Sequence, residues 1–170
     1  ALARNEKGRV AINELITKSE FYGKYFKGRV DLEMMKPYAE DLVITTACMA
    51  SKLHREKDYN KCIEYIKEYK SIFPYFYLEL QSHDNIEQEE YNKKLLDLAK
   101  DTNTPFIITT DSHVAYEKDL KYQARHVQIA QDADTASEHY GGCYLQSVEE
   151  IHEIMDKQIG RDNVELGLSN

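Results

Sequence analysis

Apolar positions recur along this chain in two rhythms that alternate. Residues 5–25 are mostly polar, with Val10, Ile12, Leu15 and Ile16 interspersed, which predicts a helix. Asp31 can cap a short helix through Met35, which Pro37 should stop. The β-branched run Leu42-Val43-Ile44-Thr45-Thr46 predicts a strand. Asp58 then caps a helix whose Cys62, Ile63, Ile66 and Tyr69 fall at three- and four-residue spacing. Residues 75–80 predict a second strand and residues 106–110 a third. Between them, residues 85–100 predict an amphipathic helix with Tyr91, Leu95, Leu98 and Ala99 on one side. Residues 117–130 predict another helix. Ser147 followed by Glu150 is a capping box for one through Met155, and Asp162 should cap a last one. Strand, helix, strand, helix at near-even spacing means βαβ units and a parallel sheet. Three such strands give a half-barrel or a small open sheet, and the exposed edges would favour self-association.

The chain has 170 residues, one domain's worth, and 42% hydrophobic against 31% charged residues suffices for a packed core. The net charge of −8 makes it a poor clamp for nucleic acid, because phosphate contacts need Lys and Arg. A DNA partner would have to be held mainly by other parts of a larger protein. Three cysteines, widely spaced and without CxxC, argue against a disulfide framework and a zinc ribbon and suit a reducing cytoplasm. There is no signal peptide, and no apolar run nears the ~18 residues of a membrane span. The opening Ala1-Leu2-Ala3-Arg4, without an initiator Met, and the polar turn at 168–170 read as the ends of a fragment. No Gly-rich phosphate loop, GxSxG elbow or HExxH is present.

In parallel α/β folds functional groups collect at the carboxyl ends of strands. The first strand leads into Cys48, the second carries Glu79 and leads into His83, and the third leads into Asp111 and His113. These are first-row metal ligand types, and residues two apart in an extended segment point the same way. Each also has a structural explanation. Cys48 can be a small buried hydrophobe. His83 can serve the turn before a helix, Asp111 can cap a turn with His113 bonded to it, and Glu79 can sit in a salt bridge. The conjunction at one rim favours chemistry. His54, His126, His139 and His152 lie in polar surroundings and are given no role. Tyr22, Tyr25 and Phe26 beside Lys24, Lys27 and Arg29 could stack on bases, but more simply pack an edge of the core.

These residues also resemble a family. Leu2-Ala3-Arg4-Asn5-Glu6-Lys7-Gly8 is similar to the LA-N-G segment of the PHP (polymerase and histidinol phosphatase) domain of DNA polymerase III alpha subunits. Gly28-Arg29-Val30-Asp31 resembles its Pro-Arg-Ile-Asp, with Gly for Pro. Residues 42–53 resemble the segment whose Cys is a metal ligand. Residues 77–83 resemble YLELQDH, with Ser82 for Asp. Thr110-Asp111-Ser112-His113 resembles the NDVH ligand pair, and residues 143–155 resemble FYLKSPEEM. No single motif is highly specific; the ordered set is.

The resemblance implies the later part of a PHP-type distorted (β/α)7 barrel over residues 1–170, an α/β fold of parallel βα units with helices outside. It implies Cys48, Asp111 and His113 as ligands of divalent metal ions (Zn, Mn or Mg), with Glu79, His83 and Arg29 lining the site. The family's His-x-His, Asp-His-Gly, early Glu and the His before LA-N-G have no counterpart in this chain. The implied parent is a cytoplasmic DNA-directed DNA polymerase, bacterial or phage. It would engage DNA, dNTPs and replisome subunits through the rest of its chain, without membrane contact. Its PHP site would serve as a 3′–5′ exonuclease or a structural element, with the chain inactive by itself. A stand-alone PHP phosphoesterase and a non-catalytic scaffold are the alternatives.

Overall fold

The computed structural model describes residues 1–130 and 142–170. Four strands form one sheet, β1 (Leu2–Ala3), β2 (Leu42–Thr45), β3 (Phe76–Gln81) and β4 (Phe106–Thr109), in that spatial order. The ladders β2–β3 and β3–β4 are parallel, the latter in register from Leu78↔Phe106 to Gln81↔Thr109. The short β1 pairs antiparallel with β2, Leu2 opposite Val43. The three β-branched runs are therefore the parallel strands, and β1 is an addition that no two-residue pattern signals. The sheet stays open, with β1 and β4 as its edges, so the described residues form an open sheet and not a closed barrel. Closure requires more strands, each tilted and staggered to meet the next.

Alternation along the strands decides which face packs. Leu42, Ile44, Phe76, Leu78 and Leu80 are buried. They meet Cys62 and Ile66 of α4 (Tyr59–Ile72), Leu95 and Leu98 of α5 (Ile86–Thr102), Met155 of α7 (Val148–Ile159) and Val164 of α8 (Arg161–Ser169) in one core. The other face, with Val43, Thr45, Tyr77, Glu79 and Ile107, is only half-buried. The remaining helices are α1 (Glu6–Phe21), α2 (Leu32–Met35), the single turn α3 (Lys52–Arg55) and α6 (Leu120–Ala130). Among the described residues no helix is long and apolar enough to cross a membrane.

Helix starts follow the capping chemistry. Asp31, Asp58 and Asn85 each accept from backbone N–H groups of the first turn. Ser147 and Glu150 form the reciprocal capping box, Glu150 N–H to Ser147 Oγ at 3.2 Å and Ser147 N–H to Glu150 Oε2 at 2.7 Å. That backbone bond, with Tyr144 Oη, holds the Glu150 carboxyl below its usual pKa. Asp162 does not cap α8: Gly160, at φ +81°, is the cap and Asp162 falls inside the first turn. The α-helix ends at Met35, as expected, and the chain continues as a 3-10 segment, Lys36–Asp41, with Pro37 in its first turn, where its missing N–H is harmless. The rings of Tyr22, Tyr25 and Phe26 are exposed rather than packed on the core, with Phe26 89% accessible.

Candidate metal centre

Because β2, β3 and β4 run parallel, their carboxyl ends share one rim. Past β3 the chain turns through Ser82 to His83, and past β4 it reaches Asp111. A third segment, 142–146, returns to the same place through a parallel bridge between Val114 and Tyr144. His113 N–H and Val114 N–H both donate to the Cys143 carbonyl, at 2.8 and 3.3 Å. Ligand atoms of His83, Asp111 and Cys143 consequently lie within 4.8 Å of one another. Cys143 Sγ is 3.7 Å from His83 Nε2, and His83 Nε2 is also 3.3 Å from the Thr110 carbonyl. His83 and Cys143 are buried, Asp111 partly so.

Burial sets the protonation of these groups. It pushes the His83 pKa down, against the Thr110 carbonyl and the Asp111 charge, which favour the cation. The ring is thus held neutral, the form that can ligate. Burial, with Asp111 and Cys48 adding to it, pushes the Cys143 thiol up to about 11. The donor set fits a divalent ion: one imidazole nitrogen, one sulfur and one carboxylate, in reach of each other at the end of a sheet.

The other predicted site residues are placed differently. Cys48 lies half-buried in the bend after β2, near enough to Cys143 to act on its charge but outside the three-residue group. His113 is exposed, its Nδ1 2.7 Å from the Asp111 carbonyl. Glu79 makes no salt bridge among the described residues; its Oε1 accepts from Thr109 Oγ1 at 2.8 Å across the β3–β4 ladder. Arg29 stacks over the Tyr25 ring, 4.7 Å from its centroid, and is not gathered with the donors. His54 packs edge-on against Tyr91, His152 pairs with Asp156, and His126 is exposed. His139 lies outside the described residues.

Cys143 is the donor that sequence reasoning misses, because no strand precedes it. A layer of buried amides behind the donors is equally silent in sequence. Asn92 Nδ2 donates to Gln81 O at 2.9 Å and to Gln158 Oε1 at 2.8 Å, while its Oδ1 accepts from Gln81 N–H at 3.1 Å and Gln88 Nε2 at 3.0 Å. Gln158 Nε2 in turn holds the His83 carbonyl at 2.8 Å, and Gln146 Nε2 spans the Ser82 and Gly142 carbonyls at 2.9 and 3.0 Å.

Two of the four left-handed non-glycine residues among the described residues lie at the same rim. Ala47 and Asp111 take φ of +56° and +46°, a region that costs a non-glycine residue about 1 kcal/mol or more. Ala47→Gly should therefore raise the unfolding free energy by about 1 kcal/mol, seen as a higher urea midpoint. A lower midpoint would mean that the turn before Cys48 is not left-handed.

Residues 1–83 match the family model described as the PHP domain. The chain is 32% identical over 155 residues to the DNA polymerase III subunit alpha of Aquifex aeolicus, covering 89% of this chain and 13% of that protein. It is 29% identical over 169 residues to that of Saccharopolyspora erythraea, covering 93% and 14%. It is 26% identical over 157 residues to the DNA-directed DNA polymerase of Bacillus phage SPbeta, covering 81% and 12%. The chain thus spans about one-eighth of the length of the relatives it matches. The family match ends at His83, so Asp111, His113 and Cys143 fall beyond it.

Proposed function

This chain is a PHP-domain relative of the DNA polymerase III alpha subunits, and from that premise we propose that it forms the metal-binding rim of a PHP domain in a larger, DNA-synthesising protein. The observation that carries the reading is the convergence of His83, Asp111 and Cys143 at the carboxyl ends of the parallel strands. In this reading residues 1–170 are part of one domain, and the open sheet is part of the family's distorted barrel, the half-buried face bearing Tyr77 and Glu79 turned to its interior. Template DNA, deoxynucleotides and replisome partners are engaged by the rest of the whole protein, in the cytoplasm. The net charge of −8 agrees with a segment that does not itself grip phosphates.

Asp111 is the residue on which the arguments agree: resemblance names it a ligand, and geometry gathers it with two further donors. His113 stands beside it, its Nδ1 2.7 Å from the Asp111 carbonyl. A bound divalent ion would lower the pKa of a coordinated water and neutralise phosphate oxygens. The protein's part is to hold the imidazole neutral and the donor backbones fixed. The donors present make an incomplete version of the family's site, so the chain by itself should bind metal without appreciable nuclease activity.

The test is calorimetric titration of the metal-stripped chain with Zn and Mn, alongside a single-stranded DNA degradation assay. Stoichiometric binding, weakened at least about 100-fold by Asp111→Ala with the fold intact, is expected. Metal uptake equal in the wild type and in Asp111→Ala would overturn the site. Robust nuclease activity abolished by Asp111→Ala would overturn the inactive-fragment reading.

A further inference from the structure

Two thiols stand near the rim, and their placements differ. Resting on the metal-binding reading above, we propose that Cys143, His83 and Asp111 together bind one zinc-class ion, with Cys143 rather than Cys48 supplying the thiolate.

The spacing supports this set. Tetrahedral zinc, with bonds of about 2.0–2.3 Å, sets neighbouring ligand atoms about 3.3–3.8 Å apart. Cys143 Sγ and His83 Nε2 are 3.7 Å apart, already at that separation. The Asp111 carboxylate lies within 4.8 Å of both and makes the third corner of the triangle. The Cys48 thiol is not in this set. Cys62 is fully buried in the core, its Sγ directed at the carbonyls of Leu53 and Glu56.

Both new donors are braced through their backbones. The Cys143 carbonyl takes the N–H groups of His113 and Val114, and Gln146 ties the Gly142 carbonyl to that of Ser82. Gln158 fixes the His83 carbonyl. Gly142, at φ +92°, lets the returning segment pass against His83: a Cβ there would sit 3.5 Å from the ring. Such support around ligands is what holds a metal site in one geometry.

Donor chemistry sets the metal class. A thiolate and an imidazole favour Zn or Co over Mg or Ca, which take oxygen ligands. On binding, the Cys143 S–H bond breaks, its proton leaves to solvent and a sulfur–metal bond forms, with no change in oxidation state. His83 binds through Nε2 with its proton on Nδ1, giving up the 3.3 Å contact to the Thr110 carbonyl. Three protein donors leave the fourth tetrahedral position open to water.

Cobalt(II) reads the assignment directly, because thiolate ligation gives an intense sulfur-to-metal charge-transfer band that oxygen and nitrogen ligands do not. The 170-residue chain, metal-stripped, is titrated with Co alone and then displaced with Zn or with Mg. The band is expected in the unsubstituted chain and in Cys48→Ser, lost in Cys143→Ser and His83→Gln, and displaced by Zn but not by excess Mg. Should Cys143→Ser fail to fold, Cys48→Ser decides the matter, since a band surviving there, and also after Cys62→Ala is added, can come only from Cys143. A band that disappears in Cys48→Ser overturns the assignment while leaving the metal-binding reading intact. Absence of cobalt binding to the unsubstituted chain overturns both.

Discussion

Asn92→Ala is expected to cost about 3–5 kcal/mol of unfolding free energy. Asn92 is fully buried, and its one amide satisfies four groups: both backbone atoms of Gln81, the Gln88 side chain and the Gln158 side chain. The methyl group of alanine satisfies none, and the space left is enclosed by α5, α7 and β3. Among the described residues the buried Gln81 Oε1 and Gln88 Oε1 already lack a hydrogen-bond partner. Equilibrium urea unfolding measures the effect. A loss under about 1 kcal/mol would show that the amides re-pair or hydrate when Asn92 is removed. Because Gln158 also fixes the His83 carbonyl, the same substitution should weaken metal binding without touching a ligand.

Gly8→Ala is expected to destabilise by about 3 kcal/mol, although alanine is the better helix former by about 1 kcal/mol. Gly8 lies in the first turn of α1, and a Cβ there would sit 2.1 Å from the Asp41 carbonyl oxygen and 3.2 Å from Ala3 Cα. Both obstacles are backbone and cannot swing aside. Asp41 is itself committed: its carbonyl takes Arg4 N–H at 3.0 Å and its carboxylate takes Asn5 Nδ2 at 2.9 Å. Lifting α1 to admit a methyl group therefore breaks the seat of β1 as well. Thermal unfolding of Gly8→Ala beside Asn13→Ala, an exposed site on the same helix, separates space from propensity. A Gly8→Ala midpoint at or above wild type would refute the close approach.

What could be read from sequence is what local chemistry decides. Caps at Asp31, Asp58, Asn85 and Ser147 compete only with water, and the runs at Leu42 and Phe106 have little alternative to a strand. The misses are tertiary. β1 is held by Arg4 and Asp41, residues far apart in the chain, and by the Arg4 guanidinium 3.3 Å over the Tyr75 ring. Asp162 loses the cap to Gly160 because the tight joint between α7 and α8 needs a positive φ. The site divides the same way. His83 and Asp111 follow strands, so topology alone puts them at the rim. Cys143 arrives by a bridge to Val114, which no periodicity announces. Glu79 finds a hydroxyl from the next strand instead of a cation, a choice set by the β3–β4 register.

The order of the core along the chain bears on how the protein is made. Among the described residues every strand of the sheet lies before residue 110, yet Met155 and Val164, both fully buried, come from helices α7 and α8. Gly167 of α8 packs directly on Phe106 and Ile108 of β4, and Asn170 donates to the Phe106 carbonyl at its outer side. A nascent chain therefore presents the apolar sides of α5 and β4 uncovered while residues 111–147 are still being added. At the usual pace of synthesis, about 5–20 residues per second, that interval lasts several seconds. The growing chain is most open to holdase capture, and to mispairing at the β4 edge, in that window, and the last two helices end it.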